Sequence, residues 1–286
     1  MIASAPGKII LFGEHAVVYG RHAIVSAINL RCRVKVRRAR EFKIKSQIGV
    51  TGLDFRVHPY VSFAVKRFGE VFNLSGAQIE IESDIPIGSG LGSSGAVIVA
   101  TIKALSAEFG IEMSREEIFE MAKQVEIDVQ GRASGIDPFI STYGGAWLFP
   151  ERRELNVPFE FFVINMGRRS TAEMVSKVAV LKKQHPEITE KIFDAIDRIS
   201  IEASRNMGDK ETIKRLISIN QSLLRAIGVS TPEIDRVIAE LERRGLNAKI
   251  TGAGGGGCLF GILEGVIPEN SIVVRCGEEG VRIEDE

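Results

Sequence analysis

The chain offers sulfur little to do. Cys32, Cys258 and Cys276 stand far apart with no C-x-x-C pair, which argues against a disulfide framework and a thiolate zinc site. His15, His22, His58 and His185 show no metal-ligand spacing either. No apolar run is long enough to span a bilayer: the best, residues 95–105, is short and carries Lys103. The N-terminal apolar run is bracketed by Lys8 and Glu14 and has no small-residue cleavage site, so it does not read as a signal peptide. A cytoplasmic protein with no membrane association is expected. Charge of neither sign is in excess, with 37 basic against 37 acidic residues, so no nucleic-acid partner is expected. Asn and Gln number only 8 and 6, a scarcity that fits a thermophilic source.

What is present is an ordinary globular composition, with 44% apolar and 26% charged residues among 286. Residues 31–37 alternate, with Cys32, Val34 and Val36 on one face, and predict a strand whose charged face is solvated. Residues 78–85 predict another. It runs into the loop Gly88-Ser89-Gly90-Leu91-Gly92-Ser93-Ser94-Gly95, and a nearly all-apolar stretch then predicts a buried helix ending near Gly110. Ser114 and Glu117 form a capping box that opens a helix carrying Glu126 near its end. Residues 131–138 read as a second loop, followed by a turn at Gly144-Gly145. Residues 159–166 predict a strand, and Ser170 with Glu173 a second capping box. Thr231 and Pro232 open a late helix. Strand, glycine loop and strand follow across residues 248–263. The charged stretch between Pro150 and Pro158 suggests two domains, 1–150 and 151–286, of α+β class.

The glycine loops are the first chemical signal. Glycine lets consecutive amides turn toward one ligand, and a helix start adds partial positive charge for an anion. The loop at residues 88–95 has that context, with hydroxyls from Ser93 and Ser94 beside it. The phosphate loop G-x-x-x-x-G-K-S/T is absent because no lysine follows the glycines. Residues 252–257 fit G-x-G-x-x-G, but a strand follows them where a dinucleotide-binding unit needs a helix. The acids Glu126, Asp128 and Asp137 supply the hard oxygens that magnesium prefers.

Three segments together resemble the GHMP kinase superfamily. They are A-P-G-K-I-I-L-F-G-E-H-A-V-V-Y-G at residues 5–20, P-I-G-S-G-L-G-S-S-G-A at 86–96, and K-I-T-G-A-G-G-G-G-C at 249–258. Ser134-Gly135-Ile136-Asp137-Pro138 and Arg169-Ser170-Thr171 also fit. His15 after Gly13-Glu14 is similar to the branch that phosphorylates mevalonate, whereas phosphomevalonate kinases typically have Tyr there. The resemblance implies a fold with an N-terminal half like ribosomal protein S5 domain 2 and a ferredoxin-like C-terminal half. It implies transfer of a phosphoryl group from ATP to mevalonate in isoprenoid biosynthesis, with a homodimer possible. Residues 88–95 would wrap the ATP phosphates, and Ser94 and Glu126 would ligate Mg2+. Asp137 and Lys8 would be catalytic; Glu14, His15, Arg169 and Thr171 would hold mevalonate, with Gly252 and Ala253 shaping the same site. Arg168 and Arg169 are equally placed for a carboxylate. Two roles stand open: Asp137 as base, or Lys8 as the main stabiliser of developing charge. One departure is Gly95, where many family members have Ala, and the resemblance predicts little effect from it.

Overall fold

The computed structural model describes residues 1–131, 134–167 and 171–285. The order is β1 (Ile2–Phe12), β2 (Ala23–Arg38), β3 (Lys43–Ser46), β4 (Gly49–Thr51), α1 (Pro59–Phe72), β5 (Ala77–Ser83), α2 (Ser93–Phe109), α3 (Arg115–Gln130), α4 (Ile136–Tyr143), β6 (Ala146–Phe149) and β7 (Arg153–Leu155). There follow β8 (Glu160–Asn165), α5 (Thr171–Gln184), α6 (Pro186–Arg205), α7 (Lys210–Ala226), α8 (Pro232–Arg243), β9 (Lys249–Thr251), β10 (Cys258–Ile262), β11 (Ser271–Arg275) and β12 (Arg282–Glu284).

The first sheet runs β12-β1-β2-β5-β3-β4, with β6 pairing β2 and β7 pairing β6. The second runs β11-β8-β10-β9 and is antiparallel throughout. Strand β2 forms as its alternation predicts: Cys32, Val34 and Val36 are buried, and Arg33 and Lys35 lie opposite Glu82 and Glu80 on β5. Arg31 departs from the solvated face expected for it. It is buried and clamps the returning tail, donating to the carbonyls of Glu279 and Gly280 at 2.8 Å each. The tail then joins the first sheet as β12.

Helix α2 is apolar on nearly every side because β1, β2 and helices α1, α3 and α4 pack around it. Fully buried Ile98 and Ile102 each contribute about 1.5–3 kcal/mol by leaving water. The capping box at Ser114 and Glu117 is formed, as is the cap of α8 by Thr231. The last three residues of the segment read as a loop, 136–138, instead open α4, because Pro138 falls in a first turn where its missing N–H costs nothing. One apolar cluster runs from Leu11 and Ile24 through Ala96 to Phe161, Val163 and Phe260, so the two sheets share a core.

Candidate active site

The loop before α2 makes three left-handed turns, at Gly88, Gly90 and Gly92 with φ of 71°, 79° and 75°. Gly92 is the N-cap and gives no side-chain cap, so the leading amides at Ser93 to Gly95 are left for a ligand. A Cβ on Gly92 would lie 2.5 Å from Lys8 Cγ, so glycine there lets the loop close on Lys8. Leu91 and Ser89 face inward. Leu91 N–H donates to Ser89 Oγ at 3.3 Å, and Leu91 O accepts from Lys8 N–H at 2.8 Å. These two residues anchor the loop, and the helix start supplies its open face.

Lys8 on β1 and Asp137 in the first turn of α4 form an ion pair at 3.2 Å. Lys8 is buried. Helix α4 is tied to the same strand by Ser141 Oγ, which donates to Pro6 O at 3.0 Å. Glu126 on α3 is 6% exposed, and its Oε2 has no partner. Burial pushes its carboxyl up to about 7, and the nearby Asp137 charge adds to this, against the lowering effects of Lys8 and the Gly135 N–H. A buried acid with an unmet oxygen, near a second acid, is a donor set that fits a hard divalent cation completed by phosphate and hydroxyl oxygens. Among the described residues no cluster of three or more His, Cys, Asp and Glu could hold a metal alone. Ser94 lies in the first turn of α2, between the glycines that abut Lys8 and Asp137. Asp128 is engaged elsewhere, by Arg67 of α1 at 2.7 Å.

The second glycine loop, residues 252–257, lies along the first: a Cβ on Gly252 would sit 3.8 Å from Gly90 O. His15 Nε2–H donates to Ala253 O at 2.9 Å, and burial lowers the ring's pKa against that bond. Glu14 is placed differently from a ligand contact. It is 1% exposed, with one oxygen on Lys249 Nζ and the other accepting from Asn220 Nδ2 at 3.2 Å. Thr171 is exposed at the start of α5, whose Met174 packs over Gly255. Arg168, Arg169 and Ser170 lie outside the described residues.

Sequence reasoning therefore found Lys8, Glu126, Asp137 and the helix start that the fold brings together. It missed Lys249 and Asn220 as partners of Glu14. The available signal was a lysine between Ala248 and Ile250, where an apolar strand leaves a charge no solvent.

A buried lysine paired with an aspartate beside an uncapped, glycine-lined helix start is equipment for phosphoryl transfer. Comparison agrees. Residues 59–145 match the family described as GHMP kinases N terminal domain, and residues 192–269 match GHMP kinases C terminal. A mevalonate kinase of Archaeoglobus fulgidus is 72% identical over 285 residues, covering all of both chains. A crystal structure of mevalonate kinase superposes with TM-score 0.84 at 30% identity, covering 98% of this chain and all of the other. The L. major mevalonate kinase in complex with R-mevalonate superposes at 0.78 with 27% identity, over 91% of this chain and 86% of that one. The chain belongs to the GHMP kinase family and, within it, to the mevalonate kinases.

Proposed function

We propose that this enzyme transfers the γ-phosphoryl group of ATP to the terminal hydroxyl of mevalonate, giving 5-phosphomevalonate. The observation that carries the reading is the Lys8–Asp137 pair set against the start of α2. The amides of Ser93 to Gly95 bind the ATP phosphates, assisted by the partial positive charge of the helix end. Lys8, buried and held through its backbone on Leu91, faces the transferring group and stabilises its charge. Asp137 orients the acceptor hydroxyl and takes its proton late, once bond formation has made it acidic. A carboxylate is too weak a base to deprotonate a free alcohol beforehand. Glu126 and Ser94 would hold a magnesium ion, which would neutralise phosphate charge when bound. His15 and Thr171 line the acceptor side.

No described helix is long and apolar enough to cross a membrane, and the proposal places the enzyme in the cytoplasm. It includes a homodimer, which light scattering tests. The function itself is tested by ADP release with mevalonate, phosphomevalonate, homoserine and galactose offered in parallel. Turnover is expected on mevalonate alone. Preference for another of these alcohols would overturn the reading.

A further inference from the structure

Between the two sheets runs a line of contacts that the phosphoryl chemistry does not use. Ile10 N–H donates to Thr251 Oγ1 at 3.0 Å. Glu14 meets Lys249, and His15 meets Ala253 at 2.9 Å. The ionic member of this line is the unusual one. Glu14 and Lys249 side chains are both 0% exposed. The ammonium also donates to Ile250 O at 2.8 Å and lies 5.0 Å from the Phe260 ring centre and 5.7 Å from that of Phe12. Taking two charges out of water is costly, and an apolar pair of equal volume often serves stability as well. Stability is therefore a poor reason for this pair, whereas fixing one register between two elements is a good one.

What the pair registers is visible on either side of it. The residue after Glu14 is His15, whose φ of 61° and ψ of −46° lie outside the ordinary left-handed basin. Such a backbone persists only where neighbours over-determine it. The strand of Lys249 leads directly into Gly252 and Ala253, beside Gly90. We propose that Glu14 and Lys249 are a positioning couple that pins His15 to the Ala253 loop and so sets the wall of the acceptor site. Glu14 thus acts on mevalonate through His15. The inference rests on the mevalonate reading above. The ATP seat is held separately, by the Lys8–Leu91 bond and the α2 start within the first half of the chain.

The test is the double variant E14Q/K249M, which removes both charges and keeps both lengths. It is expected to melt cooperatively near the wild-type temperature. Its KM for mevalonate should rise about tenfold, the equivalent of one lost polar contact, with KM for ATP within twofold. Should it fail to fold, E14Q alone decides. Its amide oxygen can still accept from Lys249, and its NH2 can donate to Asn220 Oδ1, which has no partner now. The same split of KM values, in smaller measure, is expected there. An unchanged KM for mevalonate in a folded variant overturns the inference, as does an equal rise in both constants, which marks a general structural role. Wild-type enzyme inactive on mevalonate would sink the functional reading instead.

Discussion

One close approach in the site is open to direct test. At Gly95, in the first turn of α2, an added Cβ would stand 2.9 Å from Asp137 C, 3.0 Å from its O and 3.1 Å from its Cβ. Carbon atoms pack comfortably at about 3.5–4.0 Å, so Gly95→Ala forces α2 and α4 apart by roughly 0.5 Å. Helix α4 does not yield freely, since Ser141 holds it to Pro6 and Phe139 packs on Phe119, Trp147 and Phe149. Two effects on stability oppose each other. Alanine gains about 1 kcal/mol in helix propensity, and overpacking costs about 1–3 kcal/mol. The net is a loss of about 0–2 kcal/mol, too small to unfold a domain of ordinary stability.

Catalysis feels the same displacement differently. Productive geometry is held to about 0.5 Å, and a 1 Å misplacement costs about a hundredfold. A shift of half that size at Asp137 predicts a fall in kcat of about tenfold, with the melting temperature little changed. The assay is ADP release at saturating mevalonate and ATP, with a thermal melt on the same sample. The family resemblance alone predicts little effect, because many members carry Ala at this position. The structure predicts that those members hold α4 further from α2. A Gly95→Ala enzyme with kcat within twofold of wild type would refute the reasoning.

Other outcomes follow from the same geometry. Asp137→Asn removes the proton acceptor, and kcat should fall by about a hundredfold or more with the fold intact; near-normal turnover would remove Asp137 from the mechanism. Glu126→Gln should raise the magnesium concentration needed for half-maximal rate, and an unchanged titration would reject Glu126 as a ligand. His22 bridges the halves, with Nδ1 2.7 Å from Asp197 of α6 and Nε2 2.6 Å from Glu151. Burial works to lower its pKa, but the bonds and charges of Asp197 and Glu151 outweigh it and hold the pKa above the ordinary 6.5. The clasp therefore contributes fully below an unfolded pKa of about 6.5 and is lost as pH rises through the raised folded value. Thermal stability should fall across that window in wild type and stay flatter in His22→Gln; parallel curves would show that the clasp contributes nothing.

The parts legible in the sequence were those specified within a few residues. The glycine loop before α2, the Ser114–Glu117 box and the Thr231–Pro232 helix start are local patterns, and they appear where expected. Helix α4 was hidden because Gly135 and Pro138 look like breakers when the position of Pro138 within a turn is unknown. Arg31 read as solvated because its cover arrives from the far end of the chain. The Glu14–Lys249 pair joins the turn after β1 to β9 of the other sheet, and no local spacing encodes it. Lys8 and Asp137 were legible only through their motifs, since neither strand nor helix pattern says that they meet.

Their meeting has a cause in the strand that carries the lysine. Strand β1 slips register twice against β2, between Pro6 and Lys8 and again between Ile10 and Phe12. Proline has no N–H to give the ladder, so a break at Pro6 costs little. Past that break Lys8 N–H leaves the sheet and donates to Leu91 O, which docks the glycine loop before α2 on the strand. At the second slip Ile10 N–H turns to Thr251, which docks the other sheet. Bulges bend a strand and re-aim its side chains. Here the two irregularities free backbone donors, at Lys8 and at Ile10, for the first glycine loop and for the strand that leads into the other. A regular β1 would satisfy its own sheet and leave the lysine without a loop to serve.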